Sequence, residues 1–175
     1  MFKVVLDTNI FVAGYLTRNK PGYPSQILSM WRAGAFTLVM SPQILKEVVA
    51  KLLEKGVDED LLEELVFTLG QIALHIPGAY ETNKLNQIDL DDNKFLAAAL
   101  ESHADYIVSY DAKSLLPLKH FHGTQILIPE LFMRQMMGLA PEEGSEKDDP
   151  VELDAEVEAL KEETWARRQQ SVQDI

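Results

Sequence analysis

Cysteine is missing from all 175 residues, which excludes disulfides, thiolate metal sites and cysteine nucleophiles. Also missing is any apolar run near the roughly 18 to 20 residues that span a bilayer. The apolar stretch Val4-Val5-Leu6 is too short for the core of a secretory signal. No membrane role is expected, and a cytoplasmic setting is the default. A basic surplus is absent as well, the formal net charge being -12. Proteins that coat nucleic acid carry the opposite balance. An enzyme acting on nucleic acid is still allowed, provided that metal ions neutralise a pocket of carboxylates. The acid is unevenly placed: residues 139–175 hold 12 acids against 4 bases, two thirds of the whole excess. No internal repeat is visible.

What is present is an alternation of strands and helices. Lys3-Val4-Val5-Leu6 is a β-branched run that ends abruptly in Asp7-Thr8-Asn9, after which apolar residues recur at helical spacing. Ser25 reads as the cap of a helix from Gln26 to Arg32, and Phe36–Met40 as a second strand. Ser41-Pro42 opens a helix with an unbroken apolar stripe through Ile44, Val48 and Leu52. A further helix runs from Asp58 to about Ala73, and Leu74-His75-Ile76 is a short strand stopped by Pro77-Gly78. The alanine-rich stretch after Asp92 is helical, Ala104–Ser109 and Gln125–Ile128 are strands, and Pro129 opens a last helix. This order predicts an α/β fold in three layers, a mostly parallel sheet of about five strands with helices on both faces. Residues 1–137 form the domain, 138–150 an acidic linker and 151–175 a helical tail whose thin apolar face holds Leu153, Val157 and Leu160.

Four acids fall at similar places in this scheme. Asp7 ends the first strand, Glu47 lies in the second turn of its helix, Asp92 starts the alanine-rich helix and Asp111 follows a strand. In a doubly wound sheet, strand ends and helix starts meet on one rim. Clustered carboxylates repel, which raises their pKa values or calls for a cation. An oxygen-rich set without cysteine or a histidine cluster suits Mg²⁺ or Mn²⁺. Each acid also has a plainer role. Asp7 can cap the helix after it, Glu47 can pair with Lys51 at i+4, Asp92 can complement the helix dipole like Asp89 and Asp91, and Asp111 can form a turn.

The segments Val4–Ile10, Ser41–Val48, Asp91–Ala99, Ala104–Asp111 and Ile126–Phe132, in this order, resemble the PIN-domain nucleases. The likeness is greatest to the VapC-like branch of toxin components of toxin–antitoxin systems. The resemblance covers residues 1 to about 137. It implies a metal-dependent ribonuclease in which Asp7, Glu47, Asp92 and Asp111 hold one or two Mg²⁺ or Mn²⁺ ions. Asn9 and Ser109 then orient the carboxylates, and Asp91, beside Asp92, can share its role. It also implies RNA as substrate, an antitoxin as partner and a homodimer.

Arg18, Lys20 and Lys113 are the candidate substrate-guiding bases, each with a solvated surface charge as the plainer reading; Lys94 softens the repulsion of the acids beside it. His75, His103, His120 and His122 show no ligand spacing, and Trp31 belongs to a core face. Two other functions compete. A haloacid-dehalogenase-type phosphatase would use Asp7 as nucleophile, but expects a second Asp where Asn9 stands. A non-catalytic module would keep the fold and use the acidic tail for binding.

Overall fold

The computed structural model describes residues 1–16 and 22–139. The acidic linker, the expected tail helix and the candidate bases Arg18 and Lys20 lie outside the described residues. The chain order is β1 (Lys3–Leu6), α1 (Thr8–Leu16), α2 (Tyr23–Arg32), β2 (Thr37–Met40), α3 (Pro42–Glu54), α4 (Glu59–Ile72) and β3 (Leu74–His75). It continues with α5 (Asn93–Ser102), β4 (Tyr106–Val108), a 3-10 turn (Leu116–Leu118), β5 (His120–Phe121), β6 (Thr124–Leu127) and α6 (Pro129–Met136).

The strands form one sheet in the order β3-β2-β1-β4-β6-β5, parallel except for the β5–β6 pair, with helices on both faces. Successive strands add leftward from β1 to β3, then the chain returns to the other side of β1 with β4. The order therefore reverses between β1 and β4, which leaves a crevice beyond their carboxyl ends. Because both faces are covered, β1, β2 and β4 are nearly solid apolar runs. Val4, Val5, Leu38, Val39, Ile107 and Val108 are fully buried. Burying a Val, Leu or Ile side chain contributes roughly 1.5 to 3 kcal/mol. Gly14 allows α2 to come close to α1, since a Cβ there would meet Leu28 Cδ1 at 2.6 Å. No helix among the described residues is long and apolar enough to cross a membrane.

The sheet has six strands rather than about five. The addition is β5, joined to the expected β6 in a hairpin closed by His122 and Gly123 at φ 46° and 89°. Two successive positive φ values match the right-handed twist of paired strands, and Gly123 was the signal for it. The helix expected from Gln26 begins earlier, at Tyr23, with Gly22 rather than Ser25 at its cap. Proline fits the first turn, so Pro24 extends the helix backwards. Ser25 then lies inside that turn, where its Oγ donates to the Gly22 carbonyl at 2.9 Å. Ser41 does cap α3, accepting from the Ile44 N–H at 3.3 Å.

Candidate active site

The crevice between β1 and β4 is built by register. Val4, Val5 and Leu6 stand opposite Tyr106, Ile107 and Val108, so the next residues, Asp7 and Ser109, arrive side by side. The Asp7 N–H donates to the Val108 carbonyl at 3.0 Å, which carries the ladder one residue past the strands. Ser109 Oγ then donates to Asp7 Oδ2 at 2.5 Å. Asn9, in the first turn of α1, donates from Nδ2 to the same oxygen at 2.7 Å and from its backbone N–H to Oδ1 at 3.3 Å. Its own Oδ1 faces the Tyr110 N–H at 3.5 Å. The carboxylate is thus fixed from both strands while being only 5% exposed.

Asp111 continues from Ser109, whose Oγ accepts from the Asp111 N–H at 2.8 Å. One Asp111 oxygen serves its turn, accepting from the N–H groups of Lys113 (2.8 Å) and Ser114 (3.3 Å). The turn-forming role is therefore real, and it uses Oδ1 alone. The other oxygen meets Ser114 Oγ, and the same hydroxyl meets Asp92 Oδ2. Ser114 is 1% exposed and ties together two acids that lie 19 residues apart in the chain. Asp92 precedes α5 but makes no side-chain cap bond; its carboxyl is turned to Ser114 instead. Ser114 is the residue of this cluster that sequence reasoning missed. Its only signal was the Asp-x-x-Ser spacing, at which a tight turn folds the second side chain back over the first.

Glu47 sits differently. Its plainer reading was a pair with Lys51, yet Lys51 pairs with Glu54 at 3.6 Å, and Glu47 forms an ion pair with Lys94 on α5. Lys94 Nζ also donates to the Asp91 carbonyl at 2.6 Å. Asp91 is itself exposed and brings this carbonyl, rather than a carboxylate contact, to the group. Lys113 is likewise exposed, and its N–H serves Asp111.

These surroundings shift the acids. Burial is the main cause that pushes Asp7 up to about 6; the Ser109 and Asn9 hydrogen bonds oppose it, and the charges of Asp111 and Glu47 add to it. Burial also pushes Asp92 up to about 8, aided by its hydrogen bond with Asp111 and by the Asp7 and Asp111 charges. Burial raises Asp111 too, but hydrogen bonds from Asp92, Ser114 and the Lys113 and Ser114 N–H groups outweigh it and hold the acid below its usual range. One Ser114 proton cannot serve two ionised carboxylates, so the Asp92–Asp111 pair keeps a proton on Asp92.

Asp7, Asp92 and Asp111 are thus brought together, with the charge of Glu47 felt at Asp7. Among the described residues, no group of three or more His, Asp or Glu side chains is arranged to hold a metal ion as it stands. Ser114 meets both Asp92 and Asp111, and Lys94 pairs with Glu47. The chemistry of the set nevertheless fits a hard divalent cation. The donors are all oxygen, and burial together with neighbouring acids raises the pKa of two of them, Asp7 and Asp92.

Fold and site together define a class, the parallel α/β proteins that carry acids at the switch point of the sheet. Within that class, the family model of the PIN domain matches residues 3–113, and the chain belongs to that family. PIN domains are generally nucleases and typically use divalent metals. The uncharacterized protein MJ1680 of Methanocaldococcus jannaschii is 28% identical over 145 residues, which cover 76% of this chain and 90% of that protein. The fold is similar to that in the crystal structure of VapBC2 from Rickettsia felis bound to a DNA fragment from their promoter. The TM-score is 0.50 at 15% identity, with 71% of this chain and 97% of that chain covered.

Proposed function

We propose that this chain is an endoribonuclease that hydrolyses RNA phosphodiesters with Mg²⁺ or Mn²⁺, and that it is the toxin of a toxin–antitoxin pair. The observation that carries this reading is the meeting of Asp7, Asp92 and Asp111 through Ser109 and Ser114 at the sheet's switch point. Like charges gathered there cost stability unless a cation joins them. Asp7, Asp92 and Asp111 would hold the ion, with Glu47 joining once it leaves Lys94. When bound, the ion supplies positive charge for the reacting phosphate and a water of lowered pKa.

The chain's own residues do the rest. Ser109 and Asn9 keep Asp7 in one orientation, leaving its carboxylate no freedom to follow solvent. Ser114 sets the spacing of Asp92 and Asp111. Water attacks phosphorus in line, the bond to the 3′-oxygen breaks, and that oxygen leaves with a proton. The products carry a 5′-phosphate and a 3′-hydroxyl. No step uses the 2′-hydroxyl, so a preference for RNA comes from shape and sugar contacts. A protein antitoxin, a homodimer and a cytoplasmic setting belong to the same proposal.

The test is cleavage of mixed RNAs by the parent and by Asp7→Asn with Mn²⁺, Mg²⁺ or EDTA. Metal-dependent cleavage that disappears in the variant is expected. Cleavage that persists in both EDTA and the variant would refute the reading. A non-catalytic module is favoured by the Lys94–Glu47 pair, which already neutralises one of the four acids. It predicts that Mg²⁺ and Mn²⁺ leave the melting temperature unchanged.

A further inference from the structure

Beside the acid pocket runs a groove of about 890 Å³ that none of the four acids lines. Its floor is the face of α5 that carries Asn93, Lys94, Ala97 and Ala98, and one wall is the segment 78–90. It adjoins the site at Ser41 and Lys94, the latter being the partner of Glu47. We propose that this groove seats unpaired nucleobases of the RNA strand next to the scissile phosphate, an inference that rests on the nuclease reading above.

The argument is one of elimination by charge. The charged side chains of the groove are Glu81, Glu101, Lys84 and Lys94, which sum to zero. Two of them are already committed. Glu101 Oε2 accepts from the N–H groups of Ala79 (3.0 Å) and Tyr80 (3.4 Å), and Lys94 is held by Glu47 and the Asp91 carbonyl. A track for phosphates needs a surplus of cations, and this groove has none. What it offers instead is amides and rings.

Asn86 Oδ1 accepts from Asn93 Nδ2 at 2.7 Å, and Asn93 Oδ1 accepts from the Leu85 N–H at 2.9 Å. This chain of bonds fixes the wall to the floor and leaves the Asn86 amide N–H₂ as donor. The side chains of Asn83 and Tyr80 make no hydrogen bond among the described residues. Tyr80 is 51% exposed and lines the groove. Amides read the donor and acceptor edges of bases, and exposed rings stack on bases that have left a helix. The floor at Ala97 and Ala98 lacks bulk, so a flat ring can lie against it. Bases within a duplex offer neither a free face nor a free pairing edge, so the groove selects single strands.

The test uses the full chain, isotope-labelled, in EDTA, titrated with the four ribonucleoside 5′-monophosphates and separately with inorganic phosphate. Saturable shifts at Tyr80–Asn86 and Asn93 are expected with nucleotides and not with phosphate. Tyr80→Ala and Asn83→Ala, both exposed positions, should each weaken the nucleotide effect about tenfold. With Mn²⁺, each should raise KM for a single-stranded oligoribonucleotide about tenfold and leave kcat within about twofold. Absent shifts, shifts confined to another surface, or unchanged KM in both variants would overturn the proposal and leave the groove to a polypeptide partner. Failure of the parent to cleave any RNA would remove the nuclease reading alone, because the nucleotide titration judges the groove without metal or turnover.

Discussion

The two halves of the acid pocket handle buried charge in different ways. At the crevice between β1 and β4, Asp7 is set by strand register and held by Ser109 and Asn9. Among the described residues no cation pairs with it, and it takes the penalty of burial as a raised pKa. Where α3 faces α5, Glu47 meets Lys94 and is neutralised by the chain itself. Asp7 follows a buried apolar strand and has no lysine beside it among the described residues, whereas α5 presents Lys94 to Glu47. The lesson is that one half leaves its buried acid uncompensated among the described residues, while the other neutralises its acid with a lysine.

The contrast is broken most severely by Asp7→Asn. Cleavage should fall on the order of a thousandfold or more, since a ligand and its charge are lost together. The same variant should gain stability in EDTA at neutral pH. A shift of about 2 pKa units at a buried acid is on the order of 3 kcal/mol, from which the altered bond to Ser109 subtracts. Calorimetry should show a melting temperature several degrees higher; a lower one would mean that Asp7 is structural.

Ser114→Ala tests the bridge. Cleavage should drop about 10- to 100-fold, as for residues that orient metal ligands. Ser114→Thr, which keeps the hydroxyl, should recover much of it, and Mn²⁺ affinity from calorimetric titration should move with activity. An alanine variant with normal Mn²⁺ affinity would leave Ser114 a mere turn former.

A pH series sharpens the same contrast. The folded pKa values of Asp7 and Asp92 lie above the ordinary 3.8, at about 6 and about 8. The folded state therefore binds more protons, and stability falls as pH rises. This contribution is complete below pH 3.8 and is lost as pH passes through about 6 and then about 8. Asp111, with its lowered pKa, acts in the opposite sense, losing its contribution only as pH falls below the ordinary value. The melting temperature in EDTA should thus decline from pH 5 to pH 8.5, and saturating Mg²⁺ should flatten the decline. A flat profile in EDTA would contradict the buried, uncompensated state of these acids.

The smallest effect is expected from Lys94→Met. Freed of its partner, Glu47 should make the pocket bind Mn²⁺ severalfold more tightly, while the metal-free protein melts a degree or two lower. Weaker Mn²⁺ binding would show that Lys94 supports the site rather than competing for it.

Much of this molecule was legible from residue patterns. The β-branched run into Asp7-Thr8-Asn9 gave a buried strand feeding a helix, and Ser41-Pro42 gave the start of α3, because both signals are local. Ser25 misled because its preference for a cap was overridden by Pro24, which starts the turn earlier. The alternative pairing of Glu47 with Lys51 failed because i+4 spacing sees only partners on its own helix, and its cation comes from α5. Ser114 was invisible as a bridge because its bond to Asp92 depends on how two distant turns meet.

By itself the sequence determined which residues are charged, which runs are buried strands, and that oxygen rather than sulfur would serve any metal. These follow from composition and from periods of two or four residues along one chain. Tertiary structure alone decided the order of the strands, and with it the crevice where Asp7 meets Ser109. It also decided that Lys94 answers Glu47 and that one hydroxyl joins Asp92 to Asp111. The physical reason is range: a propensity acts over a few residues, while the energy of a buried charge depends on every group the fold packs around it.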